Sequence, residues 1–339
     1  MSLTIKRILE AADILRGKAH VTPVLTSRRL SELAGNDIFC KGEHLQRVGA
    51  FKFRGAFHAV SRLSEGQLKQ GLITQSSGNH AQALALAGKL HRAAVHIVMP
   101  TQAPEVKKQA VTAYGATIHW CDNRQSDRER VLEELRAQTG AYYIPPYDHP
   151  DVITGQGTVA LECLDQILDL DVVVAPVGGG GLLGGIALAI KSLRPRIKVF
   201  GAEPAGADDA ARSLAKGELL PQLQPDTIAD GLLTSLGEWT WPLVRDYVDG
   251  IVTVEDPAIL GSMRLIWGWM KQIVEPSGSV ALAAVLSEEF RSQFKGSRIG
   301  VVLSGGNVAL DFLNPEAILT CPKGLGRLPT TNGSSKKHV

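Results

Sequence analysis

Along this chain, runs of apolar residues of two kinds alternate, short β-branched runs and longer stretches at helical spacing. The clearest short run is Val172, Val173, Val174, Ala175 and Val177, which predicts a strand buried on both faces. Four consecutive glycines, Gly178 to Gly181, interrupt it, and helix-like content resumes from Leu182. From Leu72 the alternation is regular. Strand LITQSS, a helix over Asn79–Leu90, strand AAVHIVMP and a helix over Pro104–Tyr114 lead to strand ATIHWCD, a charged helix over Ser126–Thr139 and strand AYYIPP. Upstream lie an amphipathic helix, LTIKRILEAADIL, the Pro-punctuated HVTPVLTS and strand NDIFCKGE.

A second series runs from helix GQGTVALECLDQI through the Val172 strand to strand IKVFGAE and a helix over Ala210–Lys216. It continues with a helix at Trp241–Val248, strand GIVTVED, a long helix over Ala258–Met270, helix PSGSVALAAVLSEEF and strand RIGVVLSGGN. Strands separated by helices of this length predict βαβ units and parallel sheets. The expected class is α/β, with two open parallel or mixed sheets flanked by helices and a cleft between them at the strand C-termini.

Composition narrows the picture. With 339 residues, 44% hydrophobic and 21% charged, the chain suits a soluble globular protein of one large domain or two ordinary ones. A net charge of +2 gives no reason to expect nucleic acid or a membrane surface as partner. Cys40, Cys121, Cys163 and Cys321 are scattered without CxxC spacing, as expected of reduced thiols in a cytoplasmic protein. There is no signal-peptide pattern and no apolar run of membrane length. The Gly/Ser/Lys-rich stretch over 322–339 is expected to be disordered.

Five clusters could carry chemistry. Strand, glycine turn and helix start at Gly178–Gly181 suit a phosphate cradle, because the backbone N–H groups are uncovered and the helix dipole adds positive charge there, or a plain tight βα turn, for which one or two glycines would suffice. The same residues fit a dinucleotide fingerprint, Gly179-x-Gly181-x-x-Gly184 with Glu203 as ribose ligand, which keeps an NAD-dependent oxidoreductase open. Ser76, Ser77, Gly78, Asn79 and His80 stand at a second strand-to-helix junction, suited to a carboxylate or to plain N-capping. Lys52, between Phe51 and Phe53, is a possible amine nucleophile, although FKFRG alone reads as an exposed strand edge. Glu203, Asp208 and Asp209 crowd one loop, as a hard cation or a solvated acidic turn would have it. Ser304 ends the last strand.

These pieces in this order resemble the serine racemase and serine/threonine dehydratase group of pyridoxal-phosphate enzymes, close to the 3-hydroxyaspartate dehydratases. The matching residues are Ala50–Gly55, Ser76–His80, Gly155-Gln156-Gly157-Thr158, Gly178–Gly181, Glu275-Pro276-Ser277-Gly278 and Ser304-Gly305-Gly306-Asn307, with HVTPVLTS and TIADG beside them. The resemblance implies the tryptophan-synthase-β fold (fold type II), with a small domain over 71–150 set into a large one formed by 1–70 and 151–321, usually as a homodimer.

It also implies roles. Lys52 would carry pyridoxal 5'-phosphate as a Schiff base and serve as acid/base at Cα, with Phe51 packed beside the ring. Asn79 would bond the ring hydroxyl, Gly178, Gly179, Gly180 and Gly181 would hold the phosphate, and Ser304 would face the ring nitrogen. Ser77 would work on the opposite face of the cofactor. Ser76, Ser77, Asn79 and His80 would seat the substrate carboxylate, and Arg128 would approach a second one. Glu203, the Ala207 carbonyl and Asp209 would hold Mg²⁺, or Ca²⁺ or Mn²⁺. The implied reaction is dehydration of a small L-3-hydroxy amino acid (serine, threonine or threo-3-hydroxyaspartate) to a 2-oxo acid and ammonia through an aminoacrylate, with racemisation as the alternative. Ala50 replaces the usual serine before Phe-Lys, a variant associated with the hydroxyaspartate branch. Arg47-Val48, Arg28 and Arg29 do not repeat the mammalian racemase's nucleotide contacts, so activation by ATP is not expected. No regulatory domain follows the core, so feedback by isoleucine is not expected either.

Overall fold

The computed structural model describes residues 2–103 and 105–309, with the side chains of Val106 and Gln125 left aside. The 322–339 stretch and Cys321 lie outside the described residues.

Ten strands fall into two sheets. β1 (Val24–Thr26), β2 (Asp37–Lys41), β7 (Val172–Pro176), β8 (Lys198–Pro204), β9 (Gly250–Val254) and β10 (Arg298–Val302) form a six-stranded sheet in the order β1-β2-β10-β7-β8-β9. Every pairing in it is parallel except that of β1 with β2. β3 (Leu72–Gln75), β4 (Val95–Pro100), β5 (Thr117–Cys121) and β6 (Tyr142–Tyr143) form an all-parallel sheet in the order β5-β4-β3-β6. The Val172 run sits inside the larger sheet with every residue buried, which is why it carries no polar alternation.

Helices cover both faces of the large sheet. The one over Pro150–Gln166 packs between its neighbours Lys52–Ser61 and Gly181–Leu193. Their backbones meet closely: a Cβ on Gly155 would lie 2.7 Å from the Arg54 carbonyl oxygen, and one on Gly157 2.9 Å from that of Gly185. Gly155-Gln156-Gly157-Thr158 is therefore a packing element that seats the Lys52 helix.

Several predicted boundaries shift for local reasons. Strand AYYIPP shrinks to Tyr142–Tyr143 because Pro145 and Pro146 cannot donate to a ladder. The helix predicted over Ala258–Met270 is an α-helix over Asp256–Leu265 that widens into a π-helical turn, Ile266–Met270, and stops at Lys271 with φ +59°. Helix GQGTVALECLDQI starts earlier, at Pro150, where the His149 side chain accepts from the Asp151 N–H. Two short helices escape the hydrophobic pattern and are set by their caps. Arg28–Ala34 is capped by Ser27, and Glu65–Gln70 by a reciprocal Ser64/Gln67 box. Cys40, Cys121 and Cys163 are buried free thiols. Among the described residues no helix is long and apolar enough to cross a membrane.

Candidate active site

FKFRG is not a strand edge. Lys52 opens the helix Lys52–Ser61, and Arg54 behind it is buried. The guanidinium grips Glu43 through Nε and NH2 at 2.8 and 2.7 Å and Glu162 through NH1 at 2.6 Å, while Lys41 Nζ donates to Glu162 at 2.6 Å. Buried cations need such partners, since an unpaired charge there costs several kcal/mol. The network explains why a charged segment turns inward. Ahead of the helix, Ala50 bridges Gly305 and the Phe51 N–H donates to the Ser304 carbonyl at 3.0 Å, so the lysine is tied to the end of β10. Lys52 is half-buried, with Nζ donating to the Pro146 carbonyl at 2.7 Å and lying 5.1 Å from the Phe51 ring centre. Burial pushes its amine down to about 8, towards the range of a usable nucleophile or base.

At the second landmark the chain leaves β7 through Gly178, Gly179 and Gly180 and enters the helix Gly181–Leu193. All four glycines are buried. A Cβ on Gly178 would stand 2.8 Å from the Leu232 Cα, and Gly180 has φ +82°, a conformation glycine adopts without strain. The Tyr147 ring lies across Gly179. The uncapped first turn leaves its N–H groups directed at the space in front of the loop.

The third landmark is the junction between β3 and the helix Asn79–His91. The Gly78 N–H donates to Ser76 Oγ at 3.2 Å. Asn79 Nδ2 donates to Glu275 Oε1 at 2.6 Å, and its Oδ1 accepts from Asn307 Nδ2 at 2.8 Å. Nδ2 carries two protons, so one stays available to a ligand. Burial pushes the Glu275 carboxyl up to about 7, helped by the nearby Asp230 charge. His80 is buried and its Nε2 lies 3.0 Å from the Ile144 carbonyl. A carbonyl only accepts, so Nε2 carries the proton and Nδ1, buried without a partner, is a lone pair. Burial, with the Lys52 charge, pushes its pKa down to about 3, so this imidazole is neutral. Ser304 is buried at the end of β10, its Oγ 3.5 Å from the Ser277 carbonyl.

The three landmarks converge. Phe51, Lys52, Ser76, Ser77, Asn79, His80, Gly178–Gly181 and Ser304 all line one cleft of about 1160 Å³ at the strand C-termini. Arg128 lines it too, its NH2 donating to Asn123 Oδ1 at 2.5 Å and its Nε buried without a partner. Sequence reasoning assigned no role to several other lining groups. Glu275 and Asp230 appeared only as motif members, and Tyr147, Arg136 and Lys107, the ion-pair partner of Asp230, not at all. The Lys107–Asp230 pair joins residues 123 apart, so no local signal could have found it.

Glu203 and Asp209 are not in the cleft lining. The Glu203 oxygens accept from the Ala210 and Ala211 N–H groups at 3.0 and 2.8 Å, at the start of the helix Asp209–Lys216. A ribose-binding role for Glu203 is thereby overturned, because its carboxylate is turned onto that helix. Asp209 Oδ2 accepts from the Leu236 N–H at 3.0 Å, Oδ1 is buried without a partner, and Ala207 is buried between them in sequence. Burial pushes Glu203 up to about 8, with the Asp209 and Asp208 charges adding to it, and pushes Asp209 up to about 6, with the Asp208 charge adding to it. Among the described residues no cluster of three or more His, Cys, Asp or Glu side chains is arranged to hold a metal.

Comparison with known proteins agrees with this geometry. Residues 15–305 match the family described as "Pyridoxal-phosphate dependent enzyme". The chain is 47% identical over 309 residues to a serine racemase of Arabidopsis thaliana, covering 90% of this chain and 93% of the relative. It is 46% identical over 302 residues to an L-threo-3-hydroxyaspartate ammonia-lyase of Saccharomyces cerevisiae, covering 89% and 92%. The solved structure of maize serine racemase superposes with a TM-score of 0.90 at 43% identity, covering 92% of this chain and 96% of that one. The family match over most of the chain, and a fold that brings Lys52 and the bare glycine loop into one cleft, settle the matter: the protein belongs to the pyridoxal-phosphate-dependent enzymes of fold type II.

Proposed function

We propose that the protein is an ammonia-lyase that dehydrates a small L-3-hydroxy amino acid (serine, threonine or threo-3-hydroxyaspartate) to a 2-oxo acid and ammonia. One observation carries the reading. The depressed Lys52 amine shares a single cleft with two strand-to-helix junctions, one bare and one bearing hydroxyl and amide groups. The residues fit the cofactor: Gly178–Gly181 line the cleft with backbone alone, since a Cβ there would run into Leu232, Tyr147, Leu236 or Thr240, and the first-turn N–H groups suit a phosphate. When bound, pyridoxal phosphate supplies the electron sink that makes a Cα proton removable.

The chain's own groups do the rest. Ser76, Ser77, Asn79 and the N–H groups of their helix start seat the substrate carboxylate. Lys52 Nζ takes the Cα proton, the Cβ–O bond breaks as the Cα–Cβ double bond forms, and the departing hydroxide takes up one proton, balancing the one removed, to leave as water. Hydrolysis of the enamine product then releases ammonia and the 2-oxo acid. Ser304, which carries no charge, would face the cofactor ring, and Phe51 would pack beside it. The unpartnered Nε of Arg128 supports a substrate with a second carboxylate, which favours hydroxyaspartate.

Racemisation is the second reading. It rests on Ser77 in the cleft lining, as a proton donor opposite Lys52, and on the serine racemases among the relatives. A divalent cation, Mg²⁺ first, would sit at Glu203, the Ala207 carbonyl and Asp209, where the free Asp209 Oδ1 and two carboxyls pushed up by burial would gain from a positive charge. The small domain over 71–150 contains the four-stranded sheet, and the large one, 1–70 with 151–321, the six-stranded sheet. Exposed Leu45 and Ile273, beside the His44–Gln272 contact, support a homodimer, and the buried free thiols a cytoplasmic setting.

A 2-oxo acid assay over L- and D-serine, L-threonine and the hydroxyaspartate isomers tests the reading. Turnover of at least one L-3-hydroxy amino acid is expected; none with any of them would overturn it.

A further inference from the structure

Outside the cleft lining, two histidines face each other on the smaller sheet. His96 stands on β4 and His119 on β5, the edge strand. The parallel register sets Thr117 opposite His96 and His119 opposite Val98, so Thr117, His119 and His96 share one face. His96 Nδ1 and His119 Nε2 are 3.0 Å apart, with ring centres at 5.1 Å. Both imidazoles are half-buried, and burial holds both below the usual histidine range, His119 further lowered by its neighbour. At neutral pH both rings are therefore uncharged, with one proton shared across the gap.

That spacing matches a metal chelate. Two nitrogens bound at 2.0–2.1 Å to one ion, at right-angle to tetrahedral geometry, lie about 2.9–3.4 Å apart. We propose that His96 and His119 form a two-imidazole seat for a borderline divalent ion of the Zn²⁺, Ni²⁺ and Cu²⁺ class, which staples the edge strand β5 to β4. On binding, the proton between the rings moves to the other nitrogen of its own ring. Two nitrogen–metal bonds then form and two water ligands leave the ion, with no net proton release. No third His, Cys, Asp or Glu among the described residues completes a cluster, so water fills the remaining positions. Imidazole selects this class over Mg²⁺, which takes oxygen ligands and keeps its water.

The test uses chelator-treated holoenzyme in excess Mg²⁺, so that oxygen-ligand sites are filled, and follows Zn²⁺ by calorimetry and by thermal midpoint. One equivalent should bind and raise Tm, since an ion that binds only the folded chain stabilises it by mass action. His96→Gln and His119→Gln should each weaken binding at least tenfold and abolish the rise, with Tm in chelator confirming that both fold. Thr117→His, which adds a third imidazole on the same face, should tighten binding at least tenfold. Absence of Zn²⁺ binding in the parent, equal binding in parent and both glutamine variants, or no gain in Thr117→His would each overturn the proposal.

Discussion

Two strand-to-helix junctions meet in the same cleft and are built in opposite ways. The one after β7, Gly178–Gly180, has no side chains and is wholly buried. The one after β3, Ser76–Asn79, is half-buried and carries two hydroxyls and an amide, with neutral His80 behind it. Both open a helix whose first turn has no side-chain cap. A bare buried loop suits a phosphate that stays, because its donors are backbone atoms fixed by packing and its shape tolerates no other group. A polar, partly open loop suits a carboxylate that comes and goes, and it can also move protons. Lys52, tied through Phe51 and Ala50 to the end of β10, lines the same cleft.

Changing Lys52 should have the largest effect, since on the proposed reading it both carries the cofactor and moves the Cα proton. Lys52→Ala is expected to lower ammonia release by about 10³-fold or more, consistent with loss of an acid/base group and of cofactor attachment, and to abolish the visible absorbance of attached cofactor. Next comes the bare junction. Gly178→Ala places a Cβ 2.8 Å from the Leu232 Cα, where backbone must move. Overpacking of about 1–3 kcal/mol should weaken cofactor affinity about ten- to a hundredfold, read by equilibrium dialysis, while KM in saturating cofactor changes little.

The polar junction should respond the other way. Ser77→Ala is expected to leave cofactor content intact and to cut racemisation about a hundredfold more than L-substrate dehydration, measured by chiral chromatography beside 2-oxo acid release. Equal losses would remove the distinction between the junctions.

The smallest effect concerns pH. His80, held at about 3 in the folded protein against an ordinary 6.5, stays neutral where the unfolded chain binds a proton. Its contribution to stability is thus present above pH 6.5 and lost as pH falls towards 3, by at most about 1.4 kcal/mol per pH unit. Denaturant unfolding of His80→Gln, which keeps a donor for the Ile144 carbonyl, should show a shallower decline over pH 6.5–4. The bare junction has no titrating group, and Gly178→Ala should leave that slope unchanged.

Much of this was legible in the chain. The glycine run, the SSGNH junction and the terminal serine each sit where a strand pattern stops, so periodicity placed them at strand ends. The Lys52 segment was misread because its charges look solvent-facing; only Glu43 and Glu162, 11 and 108 residues from Arg54, explain why it turns inward. Glu203 was ambiguous because strand-end position alone does not say which way a carboxylate points. Arg28–Ala34 and Glu65–Gln70 escaped because caps, not apolar stripes, set them.

By itself, then, the sequence determined the class of fold, the order of its elements and the chemical type of each landmark, since these depend on local periodicity, glycine freedom and side-chain chemistry. The tertiary structure alone decided that one cleft gathers all of them, that Lys52 loses its proton more easily than an exposed lysine, and that His96 meets His119. Those properties come from burial and from contacts between residues tens to hundreds of positions apart, and no spacing along the chain encodes them.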